Sequence, residues 1–103
     1  MSDVTTLPTT EKDLGEDQQK APMWKVLFHN DDVTTMEFVM YALMRYFGHD
    51  AHKAYEIMMS VHTGETGLAG AYPQEIAEFK QEQVISAARG QKFPLKVTIE
   101  PDV

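Results

Sequence analysis

From Trp24 the chain reads first with a period of two. Trp24, Val26 and Phe28 interleave with Lys25, Leu27 and His29, the pattern of a strand whose two faces differ. Asn30, Asp31 and Asp32 end that pattern, because their side chains compete for the backbone hydrogen bonds a strand needs. The period then lengthens. Met36, Val39, Met40, Leu43 and Phe47 recur with helical spacing, Thr34 followed by Glu37 has the form of a capping box, and Gly48 is placed to end the helix. Asp50 can cap a second helix with the stripe Ala54, Ile57, Met58 and Val61, with His62 at the edge of that stripe. Gly64 and Gly67 close this helix and open a short strand, Leu68 to Tyr72. Pro73 at a first helical position and Glu75 in the first turn begin a third helix, which Gly90 ends. Its apolar residues, Ile76, Phe79, Val84 and Ala87, form a less regular stripe. Leu95 to Glu100 alternates as a final strand.

The order is therefore βααβαβ, which predicts an α/β (α+β) fold, a small two-layer sandwich with three helices covering one face of a three-stranded sheet. With only three strands, parallel crossovers are not required, and the sheet is expected to be mainly antiparallel. Residues 1–22 carry only Val4, Leu7 and Leu14 as sizeable apolar residues, too few to offset the entropy of ordering, and are expected to form a disordered N-terminal arm. The domain is expected over residues 23–103.

Composition narrows the function. The chain of 103 residues is 43% hydrophobic, enough for one modest core. It has no cysteine, which removes disulfides, thiolate metal sites and a cysteine nucleophile. A net charge of −7 argues against nucleic acid or an anionic membrane as partner, because phosphate binding needs clustered Lys and Arg. No apolar run is of spanning length and the start is acidic and threonine-rich, so a cytoplasmic location is expected.

The candidate chemistry lies at the first strand-to-helix turn. Asn30, Asp31 and Asp32 are good turn residues and complement a helix dipole, which is the plain reading of such a tripeptide. They can also accept hydrogen bonds from an ammonium group or ligate a hard metal. Calcium fits poorly, since the alternation of acidic residues stops at Val33 and no distal Glu closes a loop. An organic cation fits better, and no cofactor is implied. If the second helix packs on the first, Met58, Val61 and His62 meet Met36 and Val39 beside this turn, making an apolar pit with a polar rim. Each of these residues also has a simple packing role, His62 as a half-buried helix residue and the methionines as core filling.

Four stretches then carry a family resemblance: Asn30 to Val39, Met58 to His62, Glu75 to Lys80, and Pro94-Leu95. In order and spacing, from about Trp24 to Glu100, they resemble ClpS, the adaptor family of the bacterial Clp AAA+ protease. The resemblance implies a non-enzymatic module of the N-degron pathway, cytoplasmic in a bacterium or stromal in a plastid and monomeric. Such a module binds proteins whose N-terminal residue is Phe, Tyr, Trp or Leu and hands them to the N-terminal domain of the Clp unfoldase. By position, Asn30, Asp31 and His62 would hold the substrate α-amine. Asp32, Thr34, Met36, Val39, Met58, Val61 and Leu95 would line the side-chain pocket, and Glu75 and Lys80 would face the unfoldase. Two departures stand out: Thr35 replaces a proline common in the family, and the glycine after His62 is displaced by about one position, to Gly64.

Two other classes compete. A metal-dependent hydrolase could draw on His29, His49, His52 and His62 with the carboxylates, although no HExxH-like spacing occurs. An interaction domain resembling the C-terminal domain of the ribosomal stalk protein shares the layout but gives no reason for the Asn-Asp-Asp and Met-Val-His stretches.

Overall fold

The computed structural model describes residues 22–103, so the arm expected over residues 1–22 lies, except for Pro22, outside the described residues. The elements are β1 (Met23–His29), α1 (Met36–Phe47), α2 (Ala51–Gly64), β2 (Thr66–Pro73), α3 (Gln74–Gly90) and β3 (Lys96–Pro101). The expected order is met. The sheet runs β2-β1-β3 with both pairings antiparallel, so the first strand is the central one.

The alternation in β1 sends Val26 and Phe28 to the helix-covered face, where both are fully buried opposite Ile99 and Val97 of β3. Burying a side chain of this size contributes about 1.5–3 kcal/mol. Phe28 meets Phe47 edge-to-face at 5.7 Å, joining the sheet to the end of α1. The other face of β1 carries Leu27 between two polar pairs: Lys25 pairs with Glu100 at 3.4 Å, and His29 Nε2 lies 2.7 Å from Thr98 Oγ1. Gly48 ends α1 in the left-handed region at φ 70° with its N–H bonded to the Leu43 carbonyl, a conformation glycine adopts without a Cβ penalty. Asp50 caps α2 by accepting the Lys53 N–H at 2.8 Å. Both caps fall where the pattern put them.

Several boundaries differ. The residue that caps α1 is Thr35, whose Oγ1 accepts the Phe38 N–H at 3.1 Å, and not Thr34, whose hydroxyl is taken by Asp31. Strand β2 begins at Thr66 and not at Leu68, because pairing with β1 extends it, and Pro73 stands just before α3 and not inside it. The largest correction is the face of α3. It buries Ala77, Val84 and Ala88, small residues that let the helix sit close to the sheet, and leaves Ile76 46% and Phe79 59% exposed. The helix ends at Gly90, as expected, and the positive φ of the following turn is at Lys92, 66°. Strand β3 starts at Lys96, one residue after Leu95.

Candidate functional site

The site is built where β1 ends. The Asn30 N–H donates to the Glu65 carbonyl at 2.8 Å, which ties the strand end to the turn just past α2. Asp31 then folds the loop on itself. Its Oδ1 accepts the N–H groups of Val33 at 2.8 Å and Thr34 at 2.7 Å, and its Oδ2 accepts the Thr34 hydroxyl at 2.9 Å. This is a turn built by one carboxylate, and it delivers the chain to the Thr35 cap.

Partial burial of Asp31 pushes its carboxyl pKa up, but the hydrogen bonds from Thr34 and Val33 and the charge of Arg89 together outweigh that and hold it below its ordinary value. The carboxylate therefore stays charged throughout the neutral range. Oδ1 is fully used by two donors, whereas Oδ2 keeps room for another. Asp31 and Asp32 also precede the positive end of the α1 dipole, where anions are favoured.

Helices α1 and α2 supply the apolar wall. The linker 48–50 turns the chain back so that the start of α1 meets the end of α2. A recess of about 300 Å³ opens there, lined by Asn30, Asp31, Asp32, Thr34, Met36, Val39, Met58, Val61 and His62. Val39, Met58 and Val61 are buried at its floor, while Asn30, Asp32 and His62 are exposed at its rim. The structure thus brings together every amine-site and pocket residue expected from the sequence except Leu95. Leu95 is 1% exposed within the core and is not among the lining residues. Its side chain points inward just before β3, and its carbonyl accepts a hydrogen bond from Arg89 at 3.0 Å.

Three further residues shape the recess: Arg89 and Glu65, which carried no expectation, and Gly67, expected only to help close α2 and open β2. Arg89 holds the Phe93 and Leu95 carbonyls and adds positive charge near Asp31; the available signal was a basic residue in the last turn of a helix. Gly67 permits β2 to lie against α2: a Cβ there would come within 2.6 Å of Val61 Cγ2, in the floor of the recess. Glu65 takes φ 73°, a conformation that favours glycine, one residue after Gly64.

Glu75 and Lys80 lie on α3, away from the recess. At 3.6 residues per turn they are about 140° apart around the helix, and Ile76 and Phe79 fall between them. The Lys80 ammonium donates to the Tyr46 carbonyl at 2.7 Å and lies over the Phe47 and Tyr72 rings at 5.6 and 5.2 Å. The histidines of the metal reading are dispersed. His49 Nε2 donates to the Ala69 carbonyl at 2.6 Å, His52 faces Glu56 at 3.2 Å, and His29 faces Thr98. Among the described residues no group of three or more His, Cys, Asp or Glu could hold a metal ion.

A larger recess, about 650 Å³, lies between α1 and the end of α3 and is lined by aromatic residues including Phe38, Tyr41, Tyr46 and Phe93. It has no cluster of acceptors comparable to the Asn-Asp-Asp turn. The smaller recess is the one with the chemistry of a selective site: acceptors and negative charge at the rim, buried apolar side chains at the floor. That arrangement is of the kind a recognition domain uses, with acceptors suited to a cationic head beside apolar side chains suited to an apolar body. A family model described as ATP-dependent Clp protease adaptor protein ClpS matches residues 19–98. A Clp protease adapter protein ClpS of Desulfatibacillum aliphaticivorans is 44% identical over 102 residues, covering 99% of this chain and 92% of its own. One of Caulobacter vibrioides is 45% identical over 84 residues, 82% of this chain and 77% of that one. Among solved structures, ClpS2 of Agrobacterium tumefaciens bound to L-phenylalaninamide superposes with a TM-score of 0.76 at 29% identity, over 80% of this chain and 99% of that one. The chain belongs to the ClpS family of Clp protease adaptors. It is an adaptor and not an enzyme.

Proposed function

We propose that this adaptor captures proteins through a free N-terminal Phe, Tyr, Trp or Leu and delivers them to the Clp AAA+ unfoldase for degradation. The observation that carries the reading is the convergence of Asn30, Asp31 and His62 on the rim of a recess floored by Val39, Met58 and Val61. Phenylalaninamide, bound by the Agrobacterium relative, offers the matching pair of groups, an α-amine and an aromatic side chain. An α-amine has a pKa of about 8 and is charged at neutral pH, so acceptor groups and a carboxylate favour it over an internal peptide N–H. Each charge-assisted hydrogen bond contributes about 1.5–3 kcal/mol, and burying one large apolar side chain contributes a similar amount. Neither half alone gives tight binding. The requirement for both is what restricts recognition to a chain terminus.

Delivery uses other surfaces. Glu75 and Lys80, with Ile76 and Phe79 exposed between them, form a band of mixed charge and apolar area suited to docking on the N-terminal domain of the unfoldase. The Lys80 ammonium, already bonded to Tyr46, serves as a fixed and partly used charge. The arm, residues 1–22, precedes β1 in the sequence and takes part in delivery but not in capture. The adaptor acts as a cytoplasmic monomer with protein partners only, in keeping with a net charge of −7. Titration with peptides beginning in free Phe, acetylated Phe and free Gly, with and without chelator, tests the reading. Binding confined to free Phe and indifferent to chelator is expected. Equal binding of acetylated Phe would remove the amine site from the account.

A further inference from the structure

Beyond the recess, apolar side chains continue along α1 from Met36. On α1, Met36, Met40 and Met44 follow one another at intervals of four, which places them in one row along the helix. Met36 and Met44 are 43% and 42% exposed, and Met40 is half-buried against the core. On α2, Tyr55 stands seven residues before His62, on the same side of the helix as Met58, and is 53% exposed. Met36 lines the recess together with Met58 and His62, and the linker 48–50 joins the far ends of the two helices. The row of methionines and the side carrying Tyr55 therefore border the same seam, running from the recess toward the linker.

We propose that this seam is a second subsite, one that takes the side chains of the two or three residues following the first residue of the substrate. The proposal rests on the reading that the recess holds that first residue. Length supports it: Met36 to Met44 spans about 12 Å at 1.5 Å per residue, and an extended peptide covers that distance in about three to four residues. Continuity supports it as well, since Met36, which lines the recess, is also the first methionine of the row. Methionine suits the task because its unbranched thioether side chain adapts to differing apolar partners. The two parts divide the work. The recess, with its buried floor and hydrogen-bonded rim, selects the first residue narrowly, while the seam favours apolar followers broadly.

The test uses fluorescence-labelled peptides Phe-Leu-Leu-Leu and Phe-Ser-Ser-Ser with a common polar tail, titrated against the full chain and its double variant Met44→Ser/Tyr55→Ser. The full chain is expected to bind the leucine peptide about five- to thirty-fold more tightly, corresponding to roughly 1–2 kcal/mol. In the double variant the two affinities are expected to converge. Equal affinities in the full chain overturn the seam while leaving the first-residue reading intact, as does a preference that survives in the double variant. If neither peptide binds better than its acetylated form, the first-residue reading falls and the seam falls with it.

Discussion

The turn from β1 to α1 and the turn from α2 to β2 meet at one hydrogen bond, Asn30 N–H to the Glu65 carbonyl, yet they are held in opposite ways. The first organises itself. Asp31 accepts three hydrogen bonds from Val33 and Thr34, Thr35 caps the helix, and all of this lies within nine residues of sequence, Asn30 to Phe38. The second is imposed from outside. Glu65 holds φ 73° without the freedom of glycine, and Gly67 is pressed against Val61 so closely that a methyl group would not fit. A recess formed between them has one rim that is set locally and a floor that exists only when α1, α2 and β2 are packed. The polar half of the proposed recognition site therefore rests on local turn chemistry, and the apolar half on tertiary packing.

Substitutions in the two turns are expected to behave differently. The largest effect is expected from Asp31→Ala, which removes both the proposed amine acceptor and the turn that presents Thr34. Losing one charged hydrogen bond costs a factor of about ten to a hundred in affinity, and disorganising the loop adds to it. Asn30→Ala keeps the turn and is expected to lose only the first factor. Calorimetric titration with a Phe-initiated peptide compares them, and equal losses would mean that the turn contributes nothing to binding.

Next in size is Gly67→Ala. The new methyl group must displace Val61 or α2, an overpacking cost of about 1–3 kcal/mol. Because Val61 floors the recess, stability and affinity are expected to fall together, in contrast to Asn30→Ala, where affinity falls alone. Chemical denaturation alongside peptide titration reads both, and a Gly67→Ala protein of unchanged stability contradicts the packing argument.

Glu65→Gly is expected to act in the opposite direction. Relieving a positive φ at a non-glycine residue gains about 1 kcal/mol, less what glycine adds to the entropy of the unfolded chain, or a Tm rise of up to about 4–8 °C. Peptide affinity is expected to stay within two-fold. A fall in Tm would show that the Glu65 side chain supports the turn.

The smallest effect, and the one that sharpens the electrostatics, concerns Asp31 and pH. Its carboxyl has a lower pKa in the folded chain than in the unfolded one, so the folded state binds its proton less readily. The resulting stabilisation is complete above the ordinary carboxylate pKa of about 4, and is lost as pH falls through the lowered folded-state value. The difference in Tm between the natural chain and Asp31→Asn is therefore expected to be constant from about pH 7 to 5 and to shrink below about 4. A difference that already shrinks above pH 5 would show that burial, not hydrogen bonding, dominates at this carboxylate.

The same contrast explains what could be read in advance. The sequence by itself determined the elements and their order, because the change of period at Asn30 and the caps at Gly48 and Asp50 are local signals that act over a few residues. It also determined the recess residues at the start of α1 and the end of α2, since helical spacing puts Met36 with Val39 and Met58 with Val61 on single faces, and family resemblance joined the two. Resemblance also placed Leu95 in the recess, and the structure puts its side chain in the core. Local signals erred by one residue at Thr34 and Thr35, where two hydroxyls stand side by side and the one left free by Asp31 becomes the cap. Tertiary structure alone decided the face of α3. Its apolar residues point two ways, and only the close approach to the sheet selects Ala77, Val84 and Ala88 and leaves Ile76 and Phe79 outside. It alone brought Glu65 to Asn30 and Arg89 toward Asp31, pairs 35 and 58 residues apart in the sequence. Such pairings depend on where helices and strands stop relative to one another, which is settled by how the core packs and not by the residues at either end.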